Sequence, residues 1–300
     1  MLITIEPRFG GMTVREFVLS ELGLSRGLLT RLKSLEKGIL LNGTRVTVRA
    51  ILHEGDTLLL ETEDFDSDVN EQIEAVDIPI EVIYEDDDLV AVNKGASMPT
   101  HPSHNHHTDT LANALAWRYK QMGIPFVFRA VNRLDADTSG IVLVARNRAA
   151  AFKMSKELSQ GNIDKRYIAL LQGVPECREG SITAPIRRKC DSIILRECCE
   201  EGEGDSARTD YTLLCDNGTV SAVEARPITG RTHQIRVHFA HIGHPLVGDY
   251  LYGNEGLYGM KRHTLHAYKL SFNRPSDGRR IDLSANMPED IQTLFNSIKK

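Results

Sequence analysis

A short polar segment, Asn132-Arg133-Leu134-Asp135-Ala136-Asp137-Thr138-Ser139-Gly140, concentrates charged side chains immediately before an apolar run that begins at Ile141. The apolar run has the composition of a buried strand, which would anchor the segment as a loop at the edge of a sheet. A loop in that position can hold a carboxylate beside a cleft, where the carboxylate can act as a base or as a nucleophile. The segment therefore predicts a carboxylate site.

Two simpler interpretations of the same segment stay open. Asp135, Asp137 and Ser139 resemble the start of an EF-hand loop, but the twelfth position is Arg146, where calcium needs a bidentate Glu. Alternatively, the Asp and Ser side chains cap backbone groups in an ordinary turn. The calcium interpretation is the weaker of the two because the essential ligand is missing.

A second polar segment, residues 225–238, contains three arginines and two histidines. His241 and His244 follow His238 at intervals of three, which is a spacing that could suit a metal. A catalytic zinc site, however, uses carboxylates to orient its histidines, and arginines repel a cation. We therefore expect no metal here. We interpret the histidine-rich stretch over residues 101–107 as an exposed loop that binds metal only adventitiously.

The elements that must position these segments alternate irregularly between strands and helices. Residues 79–84 and 89–93 alternate like a hairpin, and helices are predicted over residues 110–122 and 148–158. Further strands are predicted over residues 141–145, 166–172, 209–214, 221–226 and 268–272. Because strands outnumber helices, we predict an α+β fold with a mixed, mainly antiparallel sheet rather than a doubly wound one.

Residues 1–62 are predicted to form a small α+β unit of their own. Helical spacing around Val14 is followed by a second helix with Leu28, Leu29, Leu32 and Leu35 on one face, an Asn42-Gly43 hairpin and a strand over residues 57–60. Residues 14–49 contain 7 basic and 3 acidic side chains. The resulting positive face is either a solvated surface or a contact for nucleic acid.

The negative charge of the chain is concentrated in one stretch. The 36 basic and 41 acidic residues give a net charge of −5, but residues 61–88 contain 13 acidic residues and no basic ones. The rest of the chain, with 36 basic and 28 acidic residues, is therefore positive. We interpret residues 63–80 as an acidic, solvated linker. A basic binding face remains compatible with the net charge.

Length and composition limit the classes of protein. A chain of 300 residues suggests two domains, and 41% hydrophobic with 26% charged residues is globular composition. The apolar runs are too short for a membrane span, and the N-terminus lacks a secretory signal, so we expect a cytoplasmic protein. An odd count of five cysteines without C-x-x-C spacing argues against a disulfide framework or a zinc ribbon.

Four motifs in this order resemble those of the RluA/RluD-type RNA pseudouridine synthases, and the likeness spans roughly residues 81–290. They are Arg133-Leu134-Asp135-x-x-Thr138-Ser139-Gly140, Lys165-x-Tyr167, Thr229-Gly230-Arg231-x-His233-Gln234-Ile235-Arg236-x-His238, and Leu265-His266-Ala267. Val90-Ala91-Val92-Asn93-Lys94-Gly95 fits the same pattern. Residues 1–62 are similar to the small RNA-binding module named after ribosomal protein S-four. The resemblance implies a catalytic domain over residues 81–300.

The resemblance also implies roles for individual residues. Asp135 would be the essential carboxylate, Tyr167 the ring that stacks on the target base, and Arg236 the partner of Asp135. Arg133 would help to fill the space that the extruded nucleotide leaves. Further substrate-binding candidates are Thr138, Ser139, Arg231, His233 and Gln234. The sequence departs from the family at two positions: Lys94-Gly95 stands where Lys-Pro is usual, and Asn132 stands where a His is usual. The second departure puts in doubt any contact that needs the imidazole of this His.

The reaction that the resemblance implies needs no cofactor and no metal. The bond from the ribose to the uracil nitrogen breaks, the uracil rotates, and it is rejoined through a ring carbon, so nothing is oxidised and no group leaves. Burial would disfavour an ionised Asp135, and an adjacent Arg236 would favour it. The expected partner is RNA, foremost large-subunit ribosomal RNA with transfer RNA as the second candidate. We expect a monomer with no membrane partner.

Three other interpretations compete with this one. The chain could be a non-catalytic RNA-binding or ribosome-associated protein that retains the fold, although Asp135, Tyr167 and Arg236 are all present. It could be a metal-dependent hydrolase that uses the histidine-rich segments. Tyr167 alone could be an ordinary core aromatic of a strand. Whether Asp135 acts as a nucleophile or as a base is left open.

Overall fold

The computed structural model describes residues 1–22, 26–61, 73–103 and 105–299. The side chain of Leu28, His104, and residues 63–72 of the predicted linker lie outside the described part of the chain. In that part, no helix is long and apolar enough to cross a membrane.

The N-terminal unit contains a sheet with the strand order β1-β4-β2-β3. Its strands are β1 (Leu2–Thr4), β2 (Ile39–Leu41), β3 (Thr44–Arg45) and β4 (Thr57–Leu60). Two helical segments accompany them: α1 (Val14–Glu16), which continues as a π-helical stretch over Phe17–Glu21, and α2 (Arg26–Ser34). The Thr13 side chain and Glu16 form a capping box that fixes where α1 begins. Phe17, Leu32 and Leu58 belong to the buried core between sheet and helices.

After the N-terminal unit, ten strands of the described residues form one large sheet. Eight of them follow the order β10-β13-β14-β9-β15-β8-β6-β5, while β16 pairs with β15 and β7 pairs with β8. The pairs are antiparallel except for β15 with β8, which run parallel. The strands are β5 (Glu81–Glu85), β6 (Leu89–Lys94), β7 (Arg129–Ala130), β8 (Ser139–Ala145), β9 (Asp164–Gln172), β10 (Glu179–Ile182), β13 (Thr209–Asp216), β14 (Val220–Pro227), β15 (Leu265–Asn273) and β16 (Arg280–Ser284). This arrangement confirms the predicted α+β fold.

Helices cover both faces of the large sheet because its strands are apolar on both sides. One face packs against α3 (Leu111–Gln121) and α5 (Gln234–His241). The other packs against α4 (Arg148–Ser159) and α6 (Glu289–Ile298). A separate ribbon pairs β11 (Ile186–Arg188) with β12 (Arg196–Cys198).

Part of the predicted linker contacts the large sheet's core. Ile73 and Ile80 pack against the same core as α3. The Asn113 side chain donates a hydrogen bond of 2.7 Å to the carbonyl of Glu74. On the other side, Phe152 of α4 packs against the core of the N-terminal unit. The described end of the acidic segment is therefore held by apolar and polar contacts, and the division into domains stays a prediction.

Candidate active site

The loop that carries Asp135 ends where β8 meets β15. Ser139 and Gly140 pair with His266 and Ala267 in the single parallel contact of the described sheet. Gly140 has φ +113°, and a Cβ atom there would lie 2.2 Å from the Ala267 carbonyl oxygen. Only glycine allows both this backbone conformation and this approach. The Gly140 position of the motif is thus explained by strand packing.

Buried side chains donate hydrogen bonds to backbone carbonyls of the loop that carries Asp135 and of the neighbouring residues 95–98. The Lys94 amine donates hydrogen bonds to the carbonyls of Gly95 at 2.7 Å, Met98 at 2.8 Å and Ala136 at 2.9 Å. Arg262 donates to the carbonyl of Asp137 at 2.9 Å. Burial lowers the pKa of Lys94 to about 7, although Asp135 and Asp137 act in the opposite direction. Three carbonyl acceptors around one amine use all three ammonium protons, so these bonds favour the charged form.

Thr138 and Ser139 are buried and bonded to histidines of the neighbouring strand region. Thr138 Oγ1 lies 2.7 Å from His263 Nε2, and Ser139 Oγ lies 3.0 Å from His266 Nδ1. Thr138 still borders the cleft, whereas Ser139 does not. Both contacts fix the loop to β15 or to the residues just before it.

Asn132 has a clear role in the backbone of the loop. Its amide donates to the carbonyl of Ile141 at 3.0 Å, and its side-chain oxygen accepts from the N–H of Leu143 at 2.8 Å. The side chain therefore pairs with β8 as a strand residue would. The departure from the usual His is compatible with a structural function at this position.

Asp135 lies beside a buried arginine that is itself held by a second carboxylate. Arg236 Nη1 donates to Asp135 Oδ2 at 3.1 Å, while its Nε and Nη2 donate to Asp249 Oδ2 and Oδ1, each at 2.8 Å. The Arg236 and Asp249 side chains are 2% and 0% exposed, and that of Asp135 is 27% exposed. Burial opposes the charge on Arg236, but Asp249 and Asp135 outweigh it and raise its pKa. Asp135 is thus the solvent-facing end of a fixed ion triad.

Tyr167 forms the floor of the cleft on β9. The small residues Ala225 and Ala267 lie opposite it on the two neighbouring strands, and the residue is buried, with 7% of its surface exposed. Burial, followed by the negative charge of Asp135, raises the pKa of Tyr167, so the hydroxyl stays protonated at neutral pH. Within the described residues, the hydroxyl has no hydrogen-bond partner. Tyr167 therefore borders the cleft as an aromatic residue whose hydroxyl is unengaged.

His233 stands at the N-terminus of α5 in a left-handed conformation with φ +58°. Its Nδ1 lies 2.8 Å from the Tyr252 hydroxyl, and its Nε2 lies 3.9 Å from Asp135 Oδ2. Burial lowers the pKa of His233, with Asp135 partly opposing this shift. The imidazole is a neutral neighbour of the carboxylate at pH 7.

Gln234 fixes the loop before α5. Its side-chain oxygen accepts from Thr229 Oγ1 at 2.6 Å and from the N–H of Arg231 at 3.0 Å. Its amide donates to the carbonyl of Arg208 at 2.9 Å and to Thr209 Oγ1 at 3.0 Å. All four groups belong to the protein, so Gln234 shapes the cleft wall. Arg231 remains exposed, with its Nε donating to the Ser206 carbonyl at 3.0 Å.

These segments enclose a cleft of about 690 Å³, which is large enough for a nucleotide. All of the predicted site residues except Ser139 line it. Among the described lining residues Asp135 is the only acid, whereas four are arginines or lysines: Arg133, Lys165, Arg231 and Arg236. The cleft is therefore cationic although the whole chain carries a net charge of −5.

Sequence reasoning missed several groups of this site. Asp249 was visible only as part of a Gly-Asp pair, and nothing in the sequence links it to Arg236. Lys165 belongs to a motif but carried no assigned role. Both ring nitrogens of His238, the first residue of the three-residue histidine spacing, face protein groups: Nδ1 lies 2.9 Å from Thr209 Oγ1 and Nε2 lies 3.0 Å from the Ala184 carbonyl. No group of three or more His, Cys, Asp or Glu that could hold a metal occurs in the described residues.

Comparisons with known proteins agree with this fold. The profile of the family described as RNA pseudouridylate synthase matches residues 88–241. An uncharacterized RNA pseudouridine synthase of Bacillus subtilis, YjbO, is 37% identical over 284 residues, which are 95% of this chain and 98% of the relative. A protein of Zymomonas mobilis named ribosomal large subunit pseudouridine synthase D is 36% identical over 75% of this chain and 74% of its own.

A solved structure, human RNA pseudouridylate synthase domain containing 1, superposes with a TM-score of 0.56 at 30% identity and covers 70% of this chain and 84% of its own. The chain belongs to the RNA pseudouridylate synthase family, and its relatives place it in the RluA/RluD-type group. It is an isomerase that converts uridine to pseudouridine in RNA. The resemblance seen in the catalytic motifs is confirmed, whereas the likeness of residues 1–62 to the S-four module stays a prediction.

Proposed function

We propose that this enzyme modifies uridines of large-subunit ribosomal RNA, with Asp135 as the essential carboxylate, Arg236 as its partner and Tyr167 as the stacking ring. The observation that carries the proposal is a single carboxylate in a cationic cleft, fixed by an arginine that a second, buried carboxylate orients. Such a cleft attracts a polyanion and still offers one negative group to the sugar.

The carboxylate has one oxygen free for chemistry. Arg236 binds Asp135 Oδ2, and no described residue donates a hydrogen bond to Oδ1. Arg236 Nη1 lies 3.1 Å from Oδ2, so the contact fixes the orientation of the carboxylate in a partly buried site. Oδ1 can then attack the anomeric carbon, take the adjacent ribose proton, or stabilise positive charge on that carbon as its bond to the uracil nitrogen breaks.

The isomerisation conserves every atom of the nucleotide. The bond from the anomeric carbon to N1 breaks, the uracil rotates, and a new bond forms from the same carbon to C5. The proton that C5 loses is balanced by the proton that N1 gains. Retaining the detached uracil is therefore essential, and the enclosed wall formed by Gln234 and the loop from Thr229 serves this purpose.

The target base must leave its stack before it can react. Extrusion costs a few kcal/mol, and stacking on an aromatic ring returns about 1–3 kcal/mol per base. Tyr167 offers such a ring at the floor of the cleft, and the exposed Arg133 at its mouth can occupy part of the space left in the RNA.

The choice of RNA rests on relatives and on charge. Several proteins named ribosomal large subunit pseudouridine synthase D are 34–36% identical to this chain. Residues 1–62 would supply a second contact to the RNA, because residues 14–49 contain 7 basic and only 3 acidic side chains and so carry a positive charge. Transfer RNA is the second candidate substrate. A monomeric, cytoplasmic enzyme is part of the same proposal.

The test is to map pseudouridines. Unmodified large-subunit ribosomal RNA and unmodified transfer RNA are incubated with the purified protein, and pseudouridine is located by chemical probing and sequencing. Conversion of one or a few discrete uridines in the ribosomal RNA is expected. Conversion only in transfer RNA would show that transfer RNA is the substrate, and binding to the ribosomal RNA without any conversion would contradict the proposed substrate.

A further inference from the structure

Lys165 is the one cleft lysine of the described residues, and it has no partner there. It lies on β9 and is half-buried in the wall of the cleft. No hydrogen bond or ion pair joins its amine to any described residue, whereas its neighbour Arg166 is bound by Asp164 at 2.8 Å and by Glu224 at 2.5 Å. A partly desolvated ammonium without a counterion is unfavourable. A negative group from outside the chain would therefore stabilise the charged form of Lys165.

The surroundings of the amine leave room for such a group. Lys165 and Tyr167 are two residues apart on one strand, so both side chains lie on the cleft face of the sheet. A Cβ atom at Gly230 would meet only the Lys165 amine, at 3.9 Å, and nothing else within 4 Å. The lack of a side chain at Gly230 therefore leaves space beside the amine.

The chemistry of the amine favours an anion over a neutral oxygen. Burial lowers the pKa of Lys165, and no carboxylate near it acts in the opposite direction, in contrast to Lys94, for which Asp135 does. A phosphate oxygen would supply the missing negative charge, whereas a uracil carbonyl would supply only a dipole.

We propose that the Lys165 ammonium donates a hydrogen bond to a non-bridging oxygen of an RNA phosphate next to the target uridine. This contact rests on the proposed function and adds a positioning group to it: the phosphate is held at Lys165 and Gly230, the base at Tyr167, and the sugar at Asp135. Lys165 is a substrate-binding residue of the cleft with no part in bond breaking.

The experiment compares four proteins on one synthetic RNA stem-loop that contains a uridine the wild type converts. The proteins are the wild type, Lys165→Met, Lys165→Arg and, as a matched control, Lys120→Met at an exposed position outside the cleft. The RNA is made with its natural phosphates or with one neutral methylphosphonate on the 5′ or the 3′ side of that uridine. Conversion under single-turnover conditions gives kcat/KM and the maximal rate.

We expect Lys165→Met to lower kcat/KM about ten- to one-hundredfold, as for a lost hydrogen bond to a charged group. Lys165→Arg should recover part of this loss because it keeps the charge, and Lys120→Met should match the wild type. One of the two methylphosphonates should slow the wild type by a similar factor and Lys165→Met hardly at all. The salt dependence of binding should also flatten by roughly one phosphate contact.

Two results would overturn the proposal. One is an unchanged kcat/KM for Lys165→Met. The other is that the losses in kcat/KM from Lys165→Met and from the methylphosphonate are additive at both phosphate positions. Additive losses would show that the amine contacts the base or the protein itself and not either phosphate. Since the RNA is one that the wild type converts, either result leaves the isomerase function intact. Failure of the proposed function would instead appear as an inactive wild type on every RNA tested.

Discussion

The catalytic cleft and the N-terminal unit both carry positive charge, but they hold it in different ways. In the cleft, Arg236 is buried and fixed by two carboxylates, and behind the loop that carries Asp135 the buried Lys94 is fixed by three carbonyls. In the N-terminal unit, Lys37, Arg45 and Arg49 are exposed. Chemistry on one nucleotide needs charges at fixed positions, whereas attraction of a long polyanion needs only that the charges be present. Substitutions in the cleft should therefore change stability and the rate of the reaction, whereas substitutions in the N-terminal unit should change RNA binding and have smaller effects.

The largest effect is expected at the buried ion triad. Asp249→Asn leaves Arg236 with a neutral partner on one side, and removal of one member of a buried ion pair costs about 3–5 kcal/mol. Both the free energy of unfolding in urea and the single-turnover rate should fall steeply. The matched control is Asp290→Asn, which removes the bidentate partner of Arg262 at a half-exposed site. If Asp249→Asn were as stable and as active as that control, the cleft would not depend on fixed charge.

The next effect concerns acid and the anchor of the catalytic loop. Burial lowers the pKa of His266 to about 4, from an ordinary value of 6.5. Between these two pKa values the folded state binds fewer protons than the unfolded state. The contribution of the neutral His266 to the free energy of unfolding is therefore complete above pH 6.5 and declines as the pH falls from 6.5 to 4. About 3 kcal/mol should be lost over this interval.

Urea unfolding between pH 7 and pH 4 measures this loss directly. His266→Gln should unfold at lower urea concentration at pH 7 and show a flatter pH dependence, while His107→Gln, at an exposed position, should follow the wild type. A pH dependence unaltered by His266→Gln would assign the acid sensitivity to other groups.

A smaller effect separates stacking from proton transfer at Tyr167. Tyr167→Ala removes the ring and should lower kcat/KM by the equivalent of about 1–3 kcal/mol. Tyr167→Phe keeps the ring and should be much less damaging. Single-turnover conversion of a ribosomal RNA fragment gives both values. Equal and severe losses would assign the work to the hydroxyl.

The smallest effect on chemistry is expected in the N-terminal unit. Replacing Lys37, Arg45 and Arg49 with Gln should weaken binding to long structured RNA and flatten its dependence on salt, because fewer phosphate contacts release fewer counterions. The single-turnover rate at saturating RNA should be unchanged. Filter binding at several salt concentrations measures the slope. An unaltered slope would show that the charges of this unit do not contact RNA.

The sequence predicts the local elements better than the contacts between them. Alternation and helical spacing predict the hairpin of β5 and β6 and the helix α4, because these signals depend on residues close in the chain. Helix α5 was not predicted, since its first residues belong to a polar motif with no apolar periodicity. The ion pair of Arg236 with Asp135 spans 101 residues, and the resemblance suggested it.

The support around that pair could not be predicted from residues alone. The hydrogen bond from Lys94 to the Ala136 carbonyl depends on how β6, β8 and the loop meet, and backbone acceptors leave no mark in the sequence. The same is true of Asn132, whose two bonds to β8 require the register of the strands. Asn132 stands out in the sequence only as a departure from the family pattern and Lys94 only as part of it, and the fold gives both a structural reason.

The most direct test of the account is a comparison of two neighbouring aspartates in one assay. Asp135→Asn keeps the size of the side chain and removes the negative charge from the cleft, while Asp137→Asn makes the same change at a residue that does not line it. Turnover of ribosomal RNA under single-turnover conditions should vanish for Asp135→Asn with little change in RNA affinity, and should persist for Asp137→Asn. Pseudouridine formation by Asp135→Asn near the wild-type rate would contradict the account.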